Sequence, residues 1–208
     1  MLQFAFPPVP PRARFRYLQG RPIPEPFPER SVNFSLRHLR TRVPSLAGTP
    51  EEIADRLREK GFPVARVAPL RELLQPIVVG RVESVTQHPN ADRLRVCVVD
   101  DGTETRRQIV TGASNVAAGA SYPLIRAGTW LPNGTKIRKG KLRGEVSEGM
   151  LGSAIELELG SEKEGLMTLS GAPAPGTSLV EVVPVEGVVF VFDEEHDEEE
   201  IVRALGGE

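Results

Sequence analysis

Cysteine, histidine, aromatic side chains and long apolar runs are all scarce in this chain of 208 residues, and each shortage closes off a class of function. There is one cysteine, and the three histidines, His38, His88 and His196, are scattered over three segments. A lone thiol closes no internal disulfide and builds no cysteine-cluster metal site. No metal and no cofactor is therefore expected, and a chain that needs no disulfide suits the cytoplasm. No apolar run approaches the length of about 18 residues that a membrane span needs. The opening MLQFAFPPVPPRARFR lacks the apolar segment of a secretory signal. Nor does charge announce a partner, since the formal net charge is −2. Two enzymatic motifs are missing as well. There is no strained G-x-S-x-G nucleophile turn, and GTKIRKGKLRG fails as a phosphate loop because its glycine gap is one residue too long and Leu142 replaces the metal-binding Ser or Thr. Catalysis is not expected.

What is present is unevenly spread. Nine of the 19 prolines lie in residues 1–44, which also carry eight arginines against two glutamates. Residues 1–31 read as an extended arm, too rich in proline for helix or central strand, and either a solubilising tail or an RNA-contacting segment. Seven acidic residues crowd positions 193–200. Between these ends, residues 32–76 read as a small helical module. Leu36, Leu39 and Val43 share a helix face, with Arg37, Arg40 and Arg42 on the other, and Pro44 ends the helix. TPEEIADRLREKG holds a complete helix: Thr49 at the N-cap, Pro50 first, Glu52 closing a capping box, Ile53 and Leu57 buried, Gly61 at the left-handed end. PVARVAPL is the connecting strand.

From Ile77 the period changes to two. IVVGRVESV, LRVCVVD, RRQIVTG, SYPLIRAG and the start of EGMLGSAIEL are five short strands, with room for a turn or two of helix in ASNVAAG between the third and fourth. Asp101 with Gly102, and Asn133 with Gly134, signal tight hairpins. This order matches an OB-fold barrel over residues 77–170. The fold class expected is α+β, mainly β: a five-stranded OB-fold barrel with a small N-terminal helical module and extended tails. Residues 171–208 read as a C-terminal extension, in which GVVFVF is one more strand off the barrel and EEIVRALGG a terminal helix.

The candidate site lies on the barrel. Lys136, Arg138, Lys139, Lys141 and Arg143 fall within eight residues without a carboxylate. In extended backbone Lys139, Lys141 and Arg143 share a face, either as a solvated hairpin or, as their place beside the barrel mouth favours, as a phosphate-contacting ridge. The loop Ser147, Glu148, Gly149, Met150 follows. Gly149 permits a turn or a close backbone approach. Glu148, an acceptor when ionised, would take a base amino group or a 2′-hydroxyl. HPNADRLRVCVVD opens with a Pro-led turn in which Asn90 and Asp92 can fold back on backbone amides. His88 and Asn90 are either structural or in contact with RNA at the rim. Cys97 reads as a small packed hydrophobe.

HPNADRLRVCVVD, QIVTGASNV and KGKLRGEVSEGMLGSAIELELG together resemble the tRNA-binding OB domain of the endothelial monocyte-activating polypeptide type. The match is strong over roughly residues 77–169. FSLRHLRTRVP and TPEEIADRLREKGFPVARV extend a weaker similarity, over residues 32–70, to the amino-terminal part of bacterial phenylalanyl-tRNA synthetase beta subunits or a free-standing relative. The sequence departs from that pattern at Gly152, where relatives commonly carry a larger residue, in the Pro-rich arm, and in having no class II synthetase active-site segment. The resemblance implies tRNA binding without aminoacylation. Adjacency in sequence and the barrel order make His88, Asn90, Lys139, Lys141, Arg143, Ser147, Glu148 and Met150 the candidate RNA-binding residues. The resemblance implies tRNA as partner, with a synthetase or a second copy of the chain as an alternative protein partner and no membrane. With only Tyr122 and Trp130 as aromatics between residues 77 and 170, recognition should rest on phosphates and RNA shape rather than on base stacking. Two rivals stand beside this reading: an accessory or degenerate synthetase fragment acting through protein contacts, and an OB-fold binder of another ligand, chaperone-like or for single-stranded DNA.

Overall fold

The computed structural model describes residues 32–161 and 165–207, together with two short strands near the amino terminus. These strands, β1 (Arg16–Leu18) and β2 (Arg21–Ile23), pair antiparallel. The rest of the proline-rich arm lies outside the described residues.

The barrel is built from β5 (Val78–Gln87), β6 (Arg95–Asp100), β7 (Arg107–Thr111), β8 (Ser121–Arg126) and β11 (Gly149–Leu151). They form one antiparallel sheet in the order β11-β8-β5-β6-β7. The alternating pattern read from Ile77 onward puts Val82, Cys97, Val99, Ile109 and Leu124 inside, with Tyr122 filling one end. β5 is long enough to serve two neighbours: residues 78–81 pair with β8 and residues 81–87 with β6, with a register shift between Val82 and Ser84. Such a bulge tightens the twist and lets one strand turn the corner of a barrel. The sheet thus nearly closes, as an OB-type barrel does. The loop between β6 and β7 runs from residue 101 to 106, longer than the tight turn that Asp101 and Gly102 suggest, because Asp101 is drawn into the structure as an ion-pair anchor (below).

Between β8 and β11 the chain makes two hairpins. Trp130 bridges Lys136 across the turn at Asn133 and Gly134. β9 (Gly140–Leu142) then pairs with β10 (Glu145–Ser147) across the two residues Arg143 and Gly144, at φ 51° and 104°. Positive φ at both central positions defines a primed hairpin turn.

Before the barrel stand β3 (Asn33–Ser35), α1 (Leu36–Arg42), α2 (Pro50–Glu59), β4 (Val64–Pro69) and α3 (Leu70–Leu74). The capping box of α2 forms as its sequence requires, with Thr49 Oγ1 accepting from the Glu52 N–H at 3.2 Å and Glu52 accepting in return from the Thr49 N–H at 2.8 Å. After the barrel come α4 (Leu179–Val182), β12 (Val188–Phe192) and α5 (Glu198–Leu205). Here the structure differs from a helical module followed by a separate extension. β12 lies between β3 and β4 as the central strand of a three-stranded sheet. The reason is in its residues. VVFVF is apolar at every position and needs cover on both faces. Phe190 and Phe192 pack with α1, α2 and α5, while Val189 and Val191 pack toward α3, α4 and the outer wall of the barrel. The acidic run is anchored too: Asp197 caps α5, and Arg42 of α1 pairs with Glu198 and Glu199. Among the described residues no helix is long and apolar enough to cross a membrane.

Candidate nucleic-acid interface

The barrel's open side faces a groove of about 500 Å³ bounded by β7, β11 and the segment from Lys136 to Leu142. Val110, Met150 and Leu151 supply apolar lining, Ser153 and Glu156 a polar end, and Lys136 and Arg138 a cationic wall. Gly149 belongs here by necessity. A Cβ at that position would collide with the Ile125 carbonyl oxygen of the neighbouring strand. At Gly152 a Cβ would meet the side-chain tips of Ile125, at 2.8 Å, and Leu157, at 3.3 Å, rather than backbone.

The sequence's candidate residues fall into three groups. Lys141 and Arg143 are exposed on the β9–β10 hairpin, and among the described residues neither is in an ion pair. Arg143 sits in the turn itself, so the strand alternation that would align it with Lys139 and Lys141 stops one residue earlier. Asn90 is exposed beneath that tip, its side-chain amide donating to the Arg143 carbonyl at 3.3 Å.

A second group is already engaged. Lys139 Nζ lies 2.6 Å from Glu148 Oε1, and Glu148 Oε2 accepts from the Gln108 N–H at 3.3 Å. The Lys139 hydrogen bond, against the opposing effect of partial burial, holds the Glu148 carboxyl below its ordinary range. Glu148 is therefore ionised, but both its oxygens have partners. Met150 is half-buried on the groove floor.

The third group is buried. Ser147 is 3% exposed and its hydroxyl accepts from the Val110 N–H at 3.1 Å while donating to the Gly149 carbonyl at 2.8 Å. It is a rung that joins β10 to β7 where the barrel closes. Gln108 adds two more, its side-chain amide reaching the Val146 carbonyl at 2.9 Å and Glu145 at 3.1 Å. His88 is 2% exposed and folds the turn, Nδ1 accepting from the Asn90 N–H at 3.0 Å. That fold-back comes from His88, where Asn90 and Asp92 had been the expected side chains.

Sequence reasoning missed a further cluster. Asp101, with no exposed surface, accepts from Arg107 and from Arg126 Nε at 2.8 Å, and from the Thr103 hydroxyl at 2.5 Å. Burial alone would raise its carboxyl, but the bonds from Thr103, Arg107 and Arg126 prevail and hold it at about 2. Three separate segments contribute, and no local pattern signals that. Cys97 faces the barrel interior, where burial pushes its thiol up to about 11; it is a core residue, as expected.

Of the two aromatics between residues 77 and 170, neither is fully exposed. Tyr122 is 1% exposed with its hydroxyl bound to Asn115 and Ala117, and Lys136 Nζ lies 4.6 Å over the ring of Trp130.

Residues 77–178 match the family model described as "Putative tRNA binding domain". The phenylalanine–tRNA ligase beta subunit of Oleidesulfovibrio alaskensis is 43% identical over 156 residues, covering 75% of this chain and 19% of that subunit. The same subunit of Bordetella parapertussis is 43% identical over 161 residues, covering 77% and 20%. This chain spans about a fifth of the length of these relatives. Among solved structures, a MetRS-related protein from Pyrococcus horikoshii superposes with a TM-score of 0.36 at 20% identity, over 50% of this chain and 87% of that one. The barrel domain, residues 77–178, belongs to the tRNA-binding domain family, in a chain homologous to part of the phenylalanine–tRNA ligase beta subunit.

Proposed function

We propose that this protein binds folded tRNA through the barrel groove and the β9–β10 hairpin, as a non-catalytic cytoplasmic module. The proposal is supported by the family match over residues 77–178 and by the β9–β10 hairpin, whose Gly140 and Leu142 line an open groove while Lys141 and Arg143 beside them are exposed. Phosphate contacts supply affinity for RNA and position it. In this reading Lys141, Arg143 and Arg138 meet phosphates, Asn90 stands at the rim, and Met150 offers apolar contact on the floor. Glu148 meets an RNA donor only by sharing Lys139. His88 and Ser147 act from beneath the surface. The burial of Tyr122 and the covering of Trp130 favour a folded RNA over a splayed single strand.

The test is a gel shift with folded tRNA, unfolded tRNA and single-stranded DNA, backed by filter binding at two salt concentrations. Preference for folded tRNA with a steep salt dependence is expected. Equal affinity for all three would point instead to a sequence-blind OB-fold binder. Amino-acid-dependent pyrophosphate exchange by the purified protein should not rise above background; a rise would overturn the non-catalytic part.

A second reading has its own support. The similarity to ligase beta subunits covers 75% of the chain, beyond the barrel and into the flanking module. An accessory role beside a synthetase, or self-association, would use that module as a protein surface. Co-purification with synthetase subunits, and sedimentation of the protein alone, separate these outcomes from independent tRNA binding.

A further inference from the structure

The β9–β10 hairpin has little of its own to hold it. It consists of three residue pairs, and all of β9 is exposed. A two-stranded ribbon alone is marginal in water. What fixes its tip is the turn that follows β5. The His88 ring is buried, and its Nε2 faces the Leu142 carbonyl at 2.9 Å, 54 residues away in sequence. Since Nδ1 accepts from the Asn90 N–H and a carbonyl can only accept, the proton must sit on Nε2. Both ring nitrogens are thus spent on backbone groups, and neither is left for a ligand. Asn90 adds the next contact, from its amide to the Arg143 carbonyl. A Cβ added on Gly144 would stand 3.6 Å from that same amide nitrogen, so the space between the two loops is no wider than a methyl group there. At the other end of the hairpin Gln108 holds the Val146 carbonyl.

The geometry points to His88 and Asn90 as positioning residues for RNA binding: they lock the hairpin tip to the barrel rim, so that Lys141 and Arg143 meet phosphates in one orientation. This rests on the reading that the hairpin meets RNA. A loose hairpin can still carry its charges to the RNA, but it must be ordered on binding, and immobilising two long cationic side chains costs affinity. The clamp orders the hairpin beforehand.

Four proteins test it: wild type, His88→Ala with Asn90→Ala, Lys141→Ala with Arg143→Ala, and all four changes together. Each is measured by filter binding to total tRNA and by amide hydrogen exchange. In the His88 and Asn90 variant, exchange should quicken over residues 140–147 while β5 and β6 stay protected. Its tRNA affinity should fall roughly tenfold, the scale of ordering one or two flexible side chains. The combined variant should then bind no more weakly than the Lys141 and Arg143 variant, because the clamp acts only through those cations. Three results would overturn the proposal: unchanged exchange over residues 140–147, wild-type affinity in the clamp variant, or a clamp effect that adds in full to the loss of Lys141 and Arg143. Full additivity would make His88 and Asn90 contributors in their own right. If the Lys141 and Arg143 variant itself binds like wild type, the RNA surface is misplaced and the proposal falls with it, a different failure from the other three. Should His88→Ala not fold, Asn90→Ala alone removes only the bond to Arg143 and should show a smaller loss with the same non-additivity.

Discussion

Asp101 shows how much one residue can carry. Its carboxylate has no exposed surface and answers two arginines, Arg107 and Arg126, whose side chains keep 28% and 30% of their exposure. Replacing it with Asn leaves both cations facing a neutral partner, and we expect a loss of about 3 kcal/mol, measured by urea unfolding at neutral pH. The same group makes stability depend on acid. Its folded value, about 2, lies below the ordinary 3.8, so its contribution is fully present above the ordinary value and is lost as pH falls toward 2. The difference corresponds to roughly 2 kcal/mol. Wild type should therefore lose about that much more stability than Asp101→Asn between pH 6 and pH 2; equal losses in the two proteins would remove Asp101 from the account. At this scale the sequence was only partly legible. Gly149 was marked as a place for close approach from its type alone, and the backbone of Ile125 is what approaches. Asp101 was read as a turn residue because its partners lie on β7 and β8.

At the scale of the element, the β9–β10 hairpin decides what the cationic cluster can do. Five basic residues fall within eight positions and three of them, Lys139, Lys141 and Arg143, read as one ridge, yet pairing and turn geometry divide the cluster. Lys139 is balanced by Glu148, Lys136 lies over Trp130, and Arg143 has moved into the turn. Lys141→Ala with Arg143→Ala should lower the slope of log affinity against log salt by about 1.5, the value for two phosphate contacts. Lys139→Ala should leave that slope unchanged while weakening binding, because it removes no net phosphate partner and uncovers the Glu148 carboxylate. Filter binding across a salt series checks both, with circular dichroism as the folding control. If Lys139→Ala flattens the slope as much as the pair does, the ion pair with Glu148 does not survive RNA binding. Helix α2 is the contrasting case. Every cap of it is local, and Thr49→Ala should cost about 1 kcal/mol.

For the whole molecule the decisive feature is β12. A strand from the end of the chain forms the middle of the sheet whose edges, β3 and β4, come before the barrel. The barrel is thus an insertion between parts of one flanking unit. Among the described residues three apolar clusters result: one inside the barrel, one among α1, α2, α5 and the phenylalanines of β12, and one joining the two. Phe190 is fully buried in the flanking cluster. Phe190→Ala should cost 3–5 kcal/mol, or about 4, by thermal or urea unfolding. Ending the chain before β12 should abolish cooperative folding of residues 32–76 even though none of them is removed. A truncated protein whose α1 and α2 amides stay protected from exchange would show that the flanking unit stands without its central strand.

The sequence alone determined the local features: the capped α2, the period-two strands of the barrel, the buried Cys97, and the basic cluster followed by the loop Ser147 to Met150. Each depends on residues within a few positions of one another, where backbone preference and alternation are enough. The tertiary structure decided the rest. It set β12 between β3 and β4, because an all-apolar strand needs two covered faces and the sequence does not say which elements supply them. It buried His88 and Ser147 and made them supports, because their polar atoms met backbone groups 54 and 37 residues away. It paired Lys139 with Glu148 and left Lys141 and Arg143 exposed, because charge pairs form across space and follow no spacing along the chain.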